Sequence, residues 1–111
     1  MTVAKAEKSG GSVNYYKLRV PHPANLPDPY ICECEDIIEE LGMTFSEGNQ
    51  FKALWRSCAA RQHGLYKEGQ DVDGVYDAEK MVYYAGRTLK VRKRNSTKRL
   101  QSIAERLSPP I

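Results

Sequence analysis

The sequence predicts an all-α fold, a small bundle of three to four helices preceded by an extended, proline-rich N-terminal arm. Apolar residues recur at helical spacing in several segments between residues 30 and 107, and capping or helix-breaking residues bound each segment. Four prolines between residues 21 and 29 exclude a helix there. With 41% hydrophobic and 28% charged residues among 111, the chain has the composition of one small globular domain.

The chain divides into four predicted segments. Residues 1–13 are polar and expected to be flexible, residues 14–29 form the extended arm, residues 30–91 form a helical core, and residues 92–111 form a basic C-terminal helix. No apolar run approaches the roughly 20 residues of a membrane span. The first residues also lack the apolar region of a signal peptide, so we expect a cytoplasmic protein.

Capping signals define the first two predicted helices. Asp28 suits the N-cap and Pro29 the first position of helix one, which Gly42 would end. Helix two would begin at Thr44, which is in capping-box spacing with Glu47, or at Ser46 as a later cap. It would run to about residue 62. The stripe expected to be buried on helix two consists of Phe51, Leu54, Trp55 and Cys58.

Two further helices are predicted after a glycine-rich loop. Helix three would run from about Tyr76 to Val91 and helix four from Ser96 to Leu107, before Pro109. The residues of helix three expected to face inward are Ala78, Met81, Val82, Ala85 and Leu89.

The three cysteines are interpreted as reduced thiols. Cys32 and Cys34 are too close in sequence for a convincing disulfide, and Cys58 leaves an odd count. A zinc site with His63 is disfavoured, because residues two apart on a helix point to different faces. We therefore predict no metal ligands among these residues.

The basic residues concentrate at the C-terminal end of the sequence. Residues 90–111 hold seven of the 17 lysines and arginines and one acid, Glu105, so this segment carries +6 and the rest of the chain −3. The segment Lys90 to Arg99 could contact nucleic acid or an acidic partner. The alternative is a solvated helix end whose charge complements the helix dipole.

The start of helix two has an unusual composition. Gly48 and Asn49 lie near its first turn, and Lys52 and Arg56 follow on the same face. A glycine there would let a ligand approach free backbone N–H groups, and the helix dipole favours an anion. The segment therefore indicates a phosphate site, against the alternative of a solvated face. A matching polar stripe on helix three consists of Asp77, Lys80, Tyr84 and Arg87 or Thr88.

The segments ECEDIIEELGMTFSEGNQFKALWR and YDAEKMVYYAGRTL resemble a family of small bacteriophage proteins, the SaV-like or phage nucleotide kinase-like proteins. That family has an early aromatic-Tyr-Lys, an acidic-Ile-Ile helix, a Gly-Asn-x-x-Lys-Tyr-x-x-Arg segment, and a last helix with an Asp-Leu-x-Lys start and a Tyr-Leu pair. The resemblance covers about residues 14–89, and its Gly-Asn-x-x-Lys-x-x-x-Arg segment is the most specific part.

The resemblance implies a set of functional residues. Those implied to bind the ligand or its phosphate are Tyr16, Lys17, Gly48, Asn49, Lys52, Arg56, Lys80 and Tyr84, with Trp55 beside them. Asp36 and Asp77 would contact Mg²⁺ or orient the acceptor. The chain departs from the family in two places: Ala53 replaces a tyrosine, and the segment after Arg56 is longer than the family's Arg-Ala-Gly-x-Lys connection. A longer connection could reshape the pocket mouth and change the ligand.

The family name implies phosphoryl transfer to a nucleoside monophosphate, which would require ATP and Mg²⁺. The sequence has no P-loop and no kinase-type glycine loop, so no catalytic residue is identified. A pyrophosphohydrolase ranks lower, because only Asp77 and Glu79 are available for the second carboxylate pair that it needs. The hypothesis that the protein sequesters a nucleotide, or a nucleotide-derived signal of host defence, ranks about equal to the kinase hypothesis.

Self-association is also expected. In so small a chain the exposed sides of Trp55, Tyr83 and Tyr84 are hard to cover, which favours a homo-oligomer. The alternative hypothesis belongs to a different functional class: the protein would be an inhibitor that binds nucleic acid or a host protein through its basic C-terminal segment.

Overall fold

A computed structural model describes residues 4–5 and 14–109. Its helices are α1 (Cys34–Glu40), α2 (Phe45–His63) and α3 (Val75–Leu107). Its strands are β1 (Ala4–Lys5), β2 (Lys17–Val20), β3 (Tyr30–Glu33) and β4 (Leu65–Tyr66), and a 3-10 turn spans Asn14–Tyr16. The mostly helical class is confirmed, and the strands were not predicted. Apart from residues 4–5, the segment predicted to be flexible lies outside the described residues.

Two short sheets form, and β2 of one of them lies within the arm predicted to be extended. Strands β2 and β3 pair antiparallel, from Lys17 opposite Glu33 to Val20 opposite Tyr30, and the proline-rich segment 21–29 connects them. Strand β1 pairs parallel with β4. The prediction that Asp28 and the proline after it begin a helix is therefore wrong. Aromatic and β-branched residues favour strands, and here pairing with β2 outweighs the local capping signal.

Helix α1 begins at Cys34 and ends where the sequence predicted. Gly42 has a φ of 62°, a conformation that glycine adopts without strain. Its N–H donates to the Glu39 carbonyl, and the Met43 N–H donates to the Ile38 carbonyl, both at 3.0 Å. These two bonds form a Schellman motif, which satisfies carbonyl groups at the helix end and turns the chain toward α2.

Helix α2 begins with the predicted capping box. The Thr44 N–H donates to Glu47 Oε1 at 2.9 Å, and the Glu47 N–H donates to Thr44 Oγ1 at 3.2 Å. Because both donors are satisfied by side chains, Thr44 is the N-cap and Ser46 lies inside the helix. The helix ends at His63, and Gly64 follows in the left-handed conformation.

Residues of the polar stripes of α2 and α3 meet between the two helices, and the predicted apolar stripes are only partly buried. On α2 the buried residues are Gly48, Ala53, Arg56 and Ala60, and on α3 the buried residue is Asp77. Leu54 of α2 and Val82 and Leu89 of α3 were expected inside but are exposed. Ala53 is fully buried, so a side chain as large as tyrosine there would not fit without displacing its neighbours.

Helix α3 continues without a break through the segment predicted to separate two helices. It contains 33 residues, and the longest dimension of the fold is 74 Å. Asn95, Ser96 and Thr97 are weak helix formers, but each costs well below about 1 kcal/mol and none breaks a helix as proline does. No helix in the described part of the chain is long and apolar enough to cross a membrane.

Gly48 lies where α1 packs against α2. It is buried, and a Cβ atom added there would lie 3.4 Å from Ile38 Cγ2. Gly48→Val should therefore wedge the two helices apart and lower the free energy of unfolding by about 1–3 kcal/mol. Gly86 of α3 is the matched control, because an added Cβ there meets no atom within 4 Å. Urea denaturation of both valine variants tests this, and equal stability would contradict the packing role.

Candidate anion-binding site

A buried ion pair joins the middle of α2 to the first turn of α3. Arg56 Nε and Nη2 donate to Asp77 Oδ1 at 3.2 and 3.0 Å, and the two residues are 5% and 0% exposed. Gln70 Nε2 donates to Asp77 Oδ2 at 2.8 Å. Both carboxylate oxygens are thus hydrogen-bonded, which is the condition under which a buried ion pair is tolerated.

The N-terminal segment docks onto the same part of α2. Arg56 Nη1 donates to the Tyr16 hydroxyl at 2.7 Å, and Trp55 Nε1 donates to the Tyr15 carbonyl at 2.9 Å. Burial raises the pKa of Tyr16, which keeps its hydroxyl protonated. The Lys52 ammonium lies 5.5 Å from the centre of the Tyr16 ring, within the range of a cation–π contact.

Three lysines surround this ion pair, and we refer to Lys52, Lys67 and Lys80 as the lysine cluster. Partial burial lowers the pKa of Lys67, and the positive charges of Arg56, Lys80 and Lys52 lower it further. Lys67 therefore lies within electrostatic reach of the other three cations. Among the described residues, no carboxylate forms an ion pair with a lysine of the cluster.

Aromatic rings flank the cluster. Lys80 lies over the Tyr76 ring, 4.9 Å from its centre, as Lys52 lies over Tyr16. A ring face attracts an ammonium group without cancelling its charge. Because the carboxylate of Asp77 is committed to Arg56 and Gln70, the lysines keep their positive potential. This arrangement favours the binding of a multiply charged anion.

The first turn of α2 is not an open anion site, which corrects the role expected for its glycine. The Gly48 N–H donates to the Thr44 carbonyl at 2.8 Å, and the Glu47 carboxylate lies at the helix N-terminus. The Asn49 side chain donates to the Phe45 carbonyl of its own helix at 2.8 Å. The phosphate expected at this turn would meet a carboxylate, and Gly48 is explained by packing instead.

Other residues of the expected site are exposed or have partners outside the cluster. Lys17 pairs with Glu33 across the β2–β3 sheet at 3.9 Å, and Asp36 is exposed on α1. The Tyr84 ring packs edge-on against Phe45. The structure therefore brings together Tyr16, Lys52, Arg56, Asp77 and Lys80.

Asp77 cannot hold Mg²⁺ in this arrangement, contrary to expectation. It is fully buried, and its oxygens accept from Arg56 and Gln70. No group of three or more metal-ligating side chains is arranged for a metal ion within residues 14–109. The cysteines are free thiols, and burial raises the pKa of Cys34 to about 11, which opposes a metal-binding thiolate.

Sequence reasoning missed Lys67, Gln70 and Tyr76. All three lie between the end of α2 and the first turn of α3, in or beside a loop of mixed charge. Only one feature of the sequence pointed to Lys67: the Arg-Ala-Gly-x-Lys connection, with which the segment after Arg56 was compared, also ends in a lysine. Gln70 contacts Asp77 seven residues away, and no sequence spacing identifies such a bond.

Comparison with known proteins gives no match to a family model, a curated protein or a solved structure.

The buried ion pair predicts an asymmetry between single and double substitutions. Asp77→Ala should lower the free energy of unfolding by about 3–5 kcal/mol, because it leaves the Arg56 charge buried without a partner. Replacing both residues, as Arg56→Met with Asp77→Leu, should be less damaging than Asp77→Ala alone. Urea denaturation measures both.

The control is Arg92→Ala, which breaks the exposed pair between Arg92 and Glu47 and should change stability little. A double variant less stable than Asp77→Ala would show that the pair contributes more than mutual charge compensation.

Proposed function

We propose that the lysine cluster binds the phosphate groups of a nucleotide or nucleotide-derived ligand. The observation that carries the proposal is the gathering of Lys52, Lys67 and Lys80 around a neutralised ion pair, with the pKa of Lys67 lowered by burial and by its neighbours. Structural lysines on a surface usually spread apart or pair with acids, because uncompensated repulsion destabilises a fold. An anion bound between them would remove that repulsion.

The aromatic residues support a nucleotide in particular. Tyr76 is 52% exposed at the edge of the cluster, so part of its ring is accessible to a base. Stacking of bases on tyrosine rings is a common means of nucleotide and single-strand recognition. A ligand with both phosphates and a planar base would use the lysines and the ring together.

Sequestration is the form of the proposal that the geometry favours over catalysis. A kinase would need groups that hold Mg²⁺ and ATP, and the acid closest to the cluster, Asp77, is committed to Arg56 and Gln70. Asp36, the other acid considered, is exposed on α1. The phage resemblance suggests a cytoplasmic role in an infected bacterium, where a small binder would remove a nucleotide or a defence signal from solution.

A second candidate function rests on the C-terminal half of α3. Its basic residues from Lys90 to Arg99 are exposed, and such a helix could bind nucleic acid or an acidic host protein. Binding of this kind would not require the lysine cluster. Substitutions in the cluster therefore distinguish the two candidate functions.

Alanine substitution in the cluster should weaken anion binding. With pyrophosphate and a panel of nucleoside mono-, di- and triphosphates as probes, Lys52→Ala, Lys67→Ala or Lys80→Ala should each reduce affinity by about 1.5–3 kcal/mol, the range of one charge-assisted hydrogen bond. Isothermal titration calorimetry at physiological salt measures the change.

Lys93→Ala is the matched control, since it removes one exposed positive charge from α3 outside the cluster. It should leave affinity for these probes unchanged. Equal losses from Lys93→Ala and Lys52→Ala would favour general electrostatic attraction, and no binding of any probe would contradict the proposal.

Lys67→Met should separate stability from binding. The folded state lowers the pKa of Lys67, so between the folded and the unfolded pKa the unfolded chain holds more protons, and stability rises with pH across that interval. Wherever Lys67 is protonated in both states, the repulsion acts fully. Lys67→Met should therefore raise the melting temperature at pH 7 and reduce its alkaline rise, while it weakens pyrophosphate binding. A lower melting temperature would assign Lys67 a structural role.

A further inference from the structure

The C-terminal part of α3, residues 93–107, projects beyond α2, and we refer to it as the α3 arm. Fifteen residues of helix extend about 22 Å at the usual rise per residue. All its side chains are exposed except Ile103, which is half-buried. Leu100 and Leu107 are 56% and 78% exposed and lie on one face with Ile103. No described element covers this apolar row.

A row of arginines runs beside the apolar row. Arg92, Arg99 and Arg106 are seven residues apart and therefore follow one another along a single side of the helix. Arg92, the first, donates to Glu47 of its own chain at 2.9 Å. Arg99 and Arg106 form no ion pair with a described residue of their own chain.

The opposite charge pattern lies on α1. This helix exposes four acids in two adjacent rows, and Leu41 follows at 70% exposure. The acids are Glu35, Asp36, Glu39 and Glu40. Beside α1 lies an apolar groove, and its lining residues are Leu41, Met43, Glu47, Gln50, Phe51, Leu54 and Met81. The groove begins at Leu41, directly after the exposed acids Glu39 and Glu40, so this surface complements a helix with an apolar row and arginines beside it.

We infer that the α3 arm docks onto α1 and this groove in a second copy of the chain. Leu100, Ile103 and Leu107 would enter the groove, and Arg99 and Arg106 would meet the α1 carboxylates. Each copy has one arm and one groove, so reciprocal docking about a two-fold axis closes a dimer. This interface does not involve the lysine cluster and is independent of the proposed anion site.

Charge excludes the simplest alternative, in which two α3 arms pair with each other. That arrangement would bring two segments of like charge together, because residues 90–111 carry +6. Nucleic acid would satisfy the arginines but leave the apolar row in water, and the arm has no aromatic residue to stack on bases. The apolar groove and the α1 carboxylates of a second copy satisfy both rows.

Charge reversal tests the inference in the full-length chain. Arg99→Glu with Arg106→Glu makes one variant, and Glu39→Arg with Glu40→Arg makes the other. Each alone should be monomeric by analytical ultracentrifugation at concentrations where the unaltered chain is dimeric. Their equimolar mixture should form a heterodimer, because both arm–groove contacts then join opposite charges.

Arg94→Glu with Lys98→Glu is the matched control, since it makes the same change in net charge on the side of the arm away from the apolar row. It should leave the dimer intact, whereas Leu100→Asp with Ile103→Asp should halve the mass without reducing the helical circular dichroism signal of the bundle. A monomeric unaltered chain, a dimer that survives the Leu100 and Ile103 changes, or a mixture that stays monomeric would overturn the inference.

Discussion

The buried pair between Arg56 and Asp77 is the interaction on which the rest of the structure depends. It connects α2 to α3, while Gln70 attaches the intervening loop to it and Tyr16 attaches the N-terminal segment. Few large apolar side chains are buried. The apolar residues that are buried have small side chains, such as Ala53 and Ala60. A fold with so polar a centre depends on the hydrogen bonds made there. The free-energy cost of one unpaired buried charge would exceed the stabilisation that its modest apolar burial provides.

The same pair explains why positive charge accumulates around it. Asp77 neutralises Arg56 but leaves the neighbouring Lys52, Lys67 and Lys80 without a carboxylate among the described residues. Several apolar side chains that a conventional bundle would bury between α2 and α3, such as Leu54, Val82 and Leu89, are instead exposed.

Local signals predicted the parts of the fold that local energetics determine. The capping box at Thr44 and the stop at Gly42 are of this kind, since their hydrogen bonds join residues only a few positions apart. Strand β3 was predicted as part of a helix from its local capping signal. Its pairing with β2 was missed because the paired residues are distant in the sequence. Val82 and Leu89 of α3 were predicted to face inward on the assumption that hydrophobic residues form the interface, but the ion pair places Asp77 on the inner side and these two residues are exposed. For the candidate site, spacing predicted Lys52, Arg56 and Lys80, whereas the positions of the loop residues Lys67 and Gln70 follow only from the three-dimensional structure.

The pKa of Lys67 tests the account most directly, because it reports the uncompensated positive charge itself. A pH titration of the Lys67 side-chain resonance by nuclear magnetic resonance, with and without pyrophosphate, provides the measurement. The account predicts a pKa below the ordinary lysine value in the free protein and an increase when pyrophosphate binds. An ordinary pKa that pyrophosphate does not change would contradict the claim that these lysines form an anion-binding site.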